Sequence, residues 1–214
     1  MKILPYIGVV ALTSGLLMNT KSANAQTVDT TPPQDTFEKS KPVLPSGTTN
    51  DSILLFAPSP EVLIQGELRN AKIVVDLSKN ILYYYNDDGI AQNAYLVASG
   101  KQSSPTHTGV RVVSHIETFP YKTAPYGTKR RRRPWDYGPK IIIVDRLNPE
   151  TGEKRQIGEF IHGNNNPESI GHYASMGCIR MDNEVIKDLS SKVKRGDIIV
   201  ITKSGKNKTL KAQL

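Results

Sequence analysis

The chain has one cysteine and one tryptophan in 214 residues, only four phenylalanines, and fewer acids than bases. A lone cysteine, Cys178, excludes an internal disulfide. Long hydrophobic runs are also lacking. The apolar stretch Ile7–Met18 is shorter than the ~20 residues that a spanning helix needs, which excludes a polytopic membrane protein. Sixteen Gly and 14 Pro follow no repeat, and 37% of residues are apolar, so collagen, a long coiled coil and an extreme disordered polymer are excluded. Acids are the scarcer charge, 20 against 28 Lys and Arg. The net charge of +8 suits anionic or acidic partners but says nothing about fold. At ~100–200 residues per domain, one domain with appendages is expected.

The appendages can be read from residue order. Lys2 precedes Ile7–Met18, and Ala23-Asn24-Ala25 leads to Gln26, the build of a cleavable secretory signal peptide over residues 1–25. A retained anchor is the alternative, for which the run is short. The protein is therefore expected to be exported, to the periplasm or cell wall. Residues 26–70 are expected to form a disordered tether, rich in Pro32, Pro33, Pro42 and Pro45. This tether runs into a mixed segment, Ser52–Leu68, whose Val62, Leu63 and Ile64 could pack on the domain. The domain itself is expected over 71–203, with a tail at 204–214.

Within the domain, short β-rich runs dominate. Ile73–Leu77 and Ile81–Tyr85 flank Ser78-Lys79-Asn80 as a hairpin, and Asn86-Asp87-Asp88-Gly89 turns the chain into Ala94–Ala98. Further strands are expected at Val110–Val113, Lys140–Val144, Glu159–Ile161 and Ile198–Ile201. One helix is clear: Asp182 caps it, Val185, Ile186, Leu189 and Val193 share a face, and Arg195-Gly196-Asp197 ends it. The fold class read from this pattern is mainly β with a few short helices.

The chemistry lies in Phe160-Ile161-His162-Gly163-Asn164 and Ser175-Met176-Gly177-Cys178-Ile179-Arg180-Met181. A nucleophilic cysteine needs a proton acceptor, donors for an oxyanion and a means of holding substrate. A thiol of pKa ~8.5 is only a few per cent ionised at pH 7, and each unit of lowering is worth ~1.36 kcal/mol. The Gly177-Cys178 turn is expected to lift the sulfur out and to present backbone N–H groups, with Arg180 adding a cation. An inert buried thiol or an intermolecular disulfide is the competing reading of Cys178. Of the four histidines, His162 follows an apolar strand and is best placed as the base. His172, six residues before Cys178, is the second choice, and His107 and His115 stay open.

The pattern His-Gly, a spacer, then Ser-x-Gly-Cys-Ile-Arg-Met resembles the catalytic signature of the L,D-transpeptidase domain family. The likeness extends to Ile73–Ser78 with Leu82-Tyr83, to Pro105-Thr106-His107-Thr108-Gly109, to Gly138-Pro139-Lys140 and to Ser169-Ile170-Gly171, about 130 of 214 residues. The resemblance implies a β-sandwich-like catalytic domain with Cys178 as nucleophile and His162 as proton acceptor and donor. A carbonyl just after His162, within Gly163-Asn164, would orient the ring. Gly177 and Ser175 would shape the turn and its oxyanion donors, and Arg180 would face the substrate. Met176 stands where many members carry His, Asn164 where Thr or Ser is frequent, and His107 where Pro is usual.

The implied reaction takes a peptidoglycan tetrapeptide stem. Cys178 attacks the third residue's carbonyl and expels D-Ala, and a neighbouring stem's amine opens the thioester to give a 3→3 cross-link. Water as acceptor would make a carboxypeptidase, and a protein lysine a wall-anchoring enzyme. No metal or organic cofactor is implied, and carbapenem acylation of Cys178 is expected. An inactive wall-binding module and a sortase-like or papain-like peptidase are the other classes. Lys129-Arg130-Arg131-Arg132-Arg133 reads as a solvated loop or a contact for wall glycan, anionic lipid or acidic stems; an exported protein has no call for nucleic acid. Trp135 and Tyr137 either floor a cleft or pack. Tyr83-Tyr84-Tyr85 reads as strand packing, since alternate members face opposite sides.

Overall fold

The computed structural model describes residues 50–122 and 134–203. The expected signal peptide, most of the tether, the tail and the basic run 129–133 lie outside the described residues, as does the Trp135 side chain. The architecture is mainly β, as expected, and is built on one curled sheet.

In chain order the elements are α1 (Asn50–Leu54), β1 (Glu61–Ile64), β2 (Glu67–Asn70), β3 (Ile73–Asp76), β4 (Ile81–Tyr85), β5 (Ala91–Leu96), β6 (Ser99–Gly100), β7 (Gly109–Thr118), β8 (Lys140–Leu147), β9 (Lys154–His162), β10 (Tyr173–Ser175), β11 (Ile179–Arg180), α2 (Asn183–Lys192) and β12 (Ile198–Thr202). Eight strands form the main sheet in the order β11-β9-β8-β7-β12-β3-β4-β5. The pairs β1-β2 and β6-β10 form small sheets of their own.

The period-2 rule assigns the faces. Ile73 and Val75 point to one side with Leu82, Ile142, Ile161, Ile179 and Ile199, and α2 covers that side with Ile186 and Leu189. Val74, Tyr83, Tyr85 and Ile198 point to the other, where Val62 and Ile64 of β1 join them. Tyr84 packs against the α2 side while its neighbours face away, the packing expected of the triplet. Further along that second side, Tyr137, Ile141 and Ile143 form a separate cluster with Phe160 and Tyr121 beside it. This third cluster borders the chemistry.

Three differences from expectation have local causes. The mixed segment before residue 71 supplies α1 and the β1-β2 hairpin. Val62 and Ile64 are buried in alternation, and the turn uses Gln65 at φ 51 with Gly66 at φ 81, so a glutamine holds a left-handed position usually given to Asn or Gly. The β9 strand begins at Lys154, five residues before the expected Glu159–Ile161 run, and its largely exposed, polar first half carries no apolar signal in the sequence. The helix begins at the expected cap, with Asp182 accepting from the Glu184 and Val185 N–H groups. It stops at Lys192, and Gly196 belongs to a separate turn closed by Asp197 on the Lys194 N–H at 2.8 Å.

Candidate active site

His162 is the last residue of β9 and is 2% exposed. Its Nδ1 lies 2.5 Å from the Gly163 carbonyl oxygen. A carbonyl can only accept, so Nδ1 carries the proton and Nε2 holds the lone pair. The Tyr137 ring packs against the imidazole, centroids 4.8 Å apart and tilted by 59°, and limits its rotation. Tyr121 donates to the Gly138 carbonyl next to this cluster. Burial, with Tyr137 and Glu117 nearby, pushes its phenol up to about 12, so it stays a donor at neutral pH.

The cysteine reaches this face by strand pairing. In the parallel pair β11-β9, Ile179 lies opposite Ile161 and Arg180 opposite His162, and the Met181 N–H donates to the His162 carbonyl at 2.8 Å. Register partners in neighbouring strands share a face, so Arg180 emerges on the same side as His162, and Cys178 lies two positions earlier in the bend that leads into β11.

The turn before β11 is braced by side chains. Ser175, fully buried, accepts from the Gly177 N–H at 3.1 Å and donates to the Cys178 carbonyl at 2.6 Å. Gly177 sits at φ +110, a conformation that disfavours any Cβ. Thr106 completes the brace by donating to the Gly177 carbonyl and accepting from the Gly100 N–H, both at 2.8 Å. Behind Thr106 lies Arg111, fully buried, which bonds Glu159 at 2.9 Å and the His107 carbonyl at 3.0 Å.

Two expectations about this turn need correction. Cys178 is only 8% exposed, so the turn does not lift the sulfur out; pairing of the next residue into β11 draws it down to the sheet. A thiolate is disfavoured by burial and favoured by an adjacent imidazolium or N–H donors, so an enclosed sulfur depends more on its neighbours. The N–H of Gly177 points to Ser175 and is spent inside the turn rather than directed at an oxyanion.

The remaining predicted residues fall as follows. Asn164 is buried; its Nδ2 donates to the Met181 carbonyl at 2.6 Å, and its Oδ1 has no hydrogen-bond partner among the described residues. Arg180 is half-buried, its N–H and carbonyl both paired with Ala98. Met176 is exposed on the turn. Among the other histidines, His107 lies 3.6 Å from Glu159 and His115 3.2 Å from Glu117, while His172 joins the structure through its carbonyl, which accepts from Ser99. Among the described residues no group of three His, Cys, Asp or Glu is arranged to hold a metal.

Thr106 and Arg111 carry little chemical signal in the sequence. The signal for Arg111 is one charge inside Val110-Arg111-Val112-Val113; Thr106 gave none beyond its loop's resemblance.

The family described as the YkuD L,D-transpeptidase catalytic domain matches residues 70–201. A Bacillus licheniformis relative carrying the assignment L,D-transpeptidase YkuD is 31% identical over 131 residues, 61% of this chain and 65% of that one. The Escherichia coli relative assigned as the L,D-transpeptidase ErfK/SrfK is 29% identical over 146 residues, 66% of this chain and 47% of that one. The chain thus spans less than two thirds of the length of the curated relatives it matches. Among solved structures, the Enterococcus faecium L,D-transpeptidase catalytic domain is similar at TM-score 0.41 and 24% identity, covering 64% of this chain and 99% of that one. The domain match spans most of the described strands and includes His162, Cys178 and Arg180, and on that ground the chain belongs to the L,D-transpeptidase catalytic domain family.

Proposed function

We propose that this protein is an exported L,D-transpeptidase acting on peptidoglycan tetrapeptide stems, forming 3→3 cross-links through a cysteine thioester. One observation supports the reading: the parallel β9-β11 register sets His162 opposite Arg180, two residues after Cys178, and His162 Nδ1 is committed to the Gly163 carbonyl. The thiol proton passes to His162 Nε2 as Sγ attacks the carbonyl of the stem's third residue. The imidazolium then protonates the departing D-Ala amine, leaving the thioester. The acceptor amine of a second stem attacks that thioester, gives its proton to Nε2 and releases the thiol.

The surroundings support an acidic peptide substrate. Arg180 emerges on the His162 side of the sheet. A cavity of about 320 Å³ adjoins the turn through Thr106 and Gly100, with Tyr173 and Lys203 also in its wall. The charge, apolar run and small-residue site of the leading segment support export, and with it a periplasmic or cell-wall location. The basic run 129–133 offers a second, peripheral contact with wall or membrane anions.

Incubating the full chain with purified disaccharide-tetrapeptide and separating the products by mass tests this directly. A cross-linked dimer with one D-Ala released per bond is expected. Tripeptide alone would reassign the acceptor to water, and no D-Ala release at all would overturn the reading.

A further inference from the structure

Asn183 opens α2, immediately after the Asp182 cap, and its amide does not serve the helix. The side chain reaches back to the residue that follows Gly163. Its Oδ1 accepts from the Asn164 N–H at 2.9 Å and its Nδ2 donates to the Asn164 carbonyl at 3.0 Å. The amide therefore meets both main-chain groups of Asn164, as a neighbouring strand would.

The first of these bonds bears on the chemistry. The Asn164 N–H and the Gly163 C=O belong to one rigid, trans peptide unit and point in opposite directions. Holding the N–H from one side fixes where the carbonyl points on the other, and there it meets His162 Nδ1 at 2.5 Å. Donation from the N–H also polarises the same amide and strengthens its oxygen as an acceptor. Space has been cleared for this arrangement. A Cβ on Gly138 or on Gly163 would stand 2.3 Å from Asn183 Oδ1, so neither position admits a side chain while the amide is in place.

We infer that Asn183 is a positioning residue that sets the tautomer of His162 through the Gly163–Asn164 peptide. The inference rests on the reading of His162 as the base. With the plane held, the proton stays on Nδ1 and the lone pair on Nε2, the form able to take the thiol proton. Released, the plane can rotate, the Nδ1 bond is lost, and the imidazole is free to carry its proton on Nε2, where it cannot act as the acceptor. Asn183 acts on the ring through the Gly163–Asn164 peptide, so its effect is expected in kcat and the pH profile rather than in KM.

The test joins ¹⁵N NMR of the histidine rings in the full chain to steady-state kinetics. In the wild type, His162 is expected as the Nδ1–H tautomer. Asn183→Ala removes both bonds and should shift the ring toward Nε2–H. It should lower kcat on the order of 10- to 100-fold with KM unchanged, and alter the pH profile. Asn183→Asp keeps the acceptor for the Asn164 N–H and should retain the wild-type tautomer and fall between the two in kcat. Asn183→Leu, of similar shape without the bonds, serves in place of alanine if that variant does not fold. A wild-type tautomer and pH profile in the alanine or leucine variant overturns the inference, as does an aspartate variant that loses the tautomer. A wild type inactive on stems would sink the transpeptidase reading instead, and the ring spectra would still report on Asn183.

Discussion

Two halves of the same sheet are equally buried and held together differently. Around β3, β4 and β12 the side chains enclosed on the α2 side are apolar, Ile73, Leu82 and Ile199 among them, and the fully buried Asp76 at the end of β3 is the polar exception. Around β9 and β11 the enclosed groups include Arg111, Ser175, His162 and Asn164, none more than 3% exposed. The first region is stabilised by keeping water out, at about 25 cal/mol per Å² of apolar surface. The second is specified by where polar atoms reach: serine to a carbonyl, threonine to a carbonyl, imidazole to a carbonyl. Such bonds add only ~1 kcal/mol each to stability, yet losing one leaves a buried group unmet. Burial alone does not distinguish the halves; the reason for it does.

The contrast makes Leu82→Ala the most damaging change to stability. A leucine with no exposure leaves a cavity on truncation, and unfolding in denaturant should become easier by ~2–5 kcal/mol. Turnover per folded molecule should stay near wild type. A matching loss of turnover under fully folding conditions would break the separation of the two regions.

Ser175→Ala sharpens it from the other side. The variant loses the acceptor for the Gly177 N–H and the donor to the Cys178 carbonyl, at a cost of ~1–3 kcal/mol by melting. The larger effect should be on acylation of Cys178, since the turn that presents it loosens. An acylation rate that drops no more than stability does would make the brace merely structural.

Alkali should weaken both regions, through different tyrosines. Tyr83 and Tyr85 in the apolar half and Tyr121 beside the site all have phenols raised above the ordinary 10.0, burial being the main cause. A raised acid favours the folded state fully while unfolded tyrosine is still protonated. That contribution is lost as pH rises from 10.0 through about 12 for Tyr121. Stability measured across this range should fall, and Tyr121→Phe should make the fall shallower. An unchanged slope in that variant would remove Tyr121 from the account.

The apolar half was legible because hydrophobic alternation is a local signal. Ile73–Asp76, Ile81–Tyr85 and Ile198–Thr202 stand where their β-branched and aromatic residues put them. The site half was legible only as a motif. His162, Ser175 and Cys178 drew attention by type and spacing, but which backbone group each polar atom meets is a property of the fold. Asn183 reads in sequence as an ordinary first residue of a helix, and Thr106 as a loop residue. Their partners, Asn164 and Gly177, lie 19 and 71 positions away. The burial of Cys178 was hidden for the same reason: a glycine predicts a turn, but not the strand pairing that draws the next residues inward.

The proposed reaction turns on one intermediate, a thioester between Cys178 and the stem, formed while His162 manages the proton. Brief incubation of the full chain with tetrapeptide stem, acid quenching and peptide mass mapping measures it most directly. The account predicts a tripeptide adduct on the peptide containing Cys178, labile to hydroxylamine and absent from Cys178→Ala. Cross-links or D-Ala formed at wild-type rate by Cys178→Ala, or an adduct carried on any other residue, would contradict it.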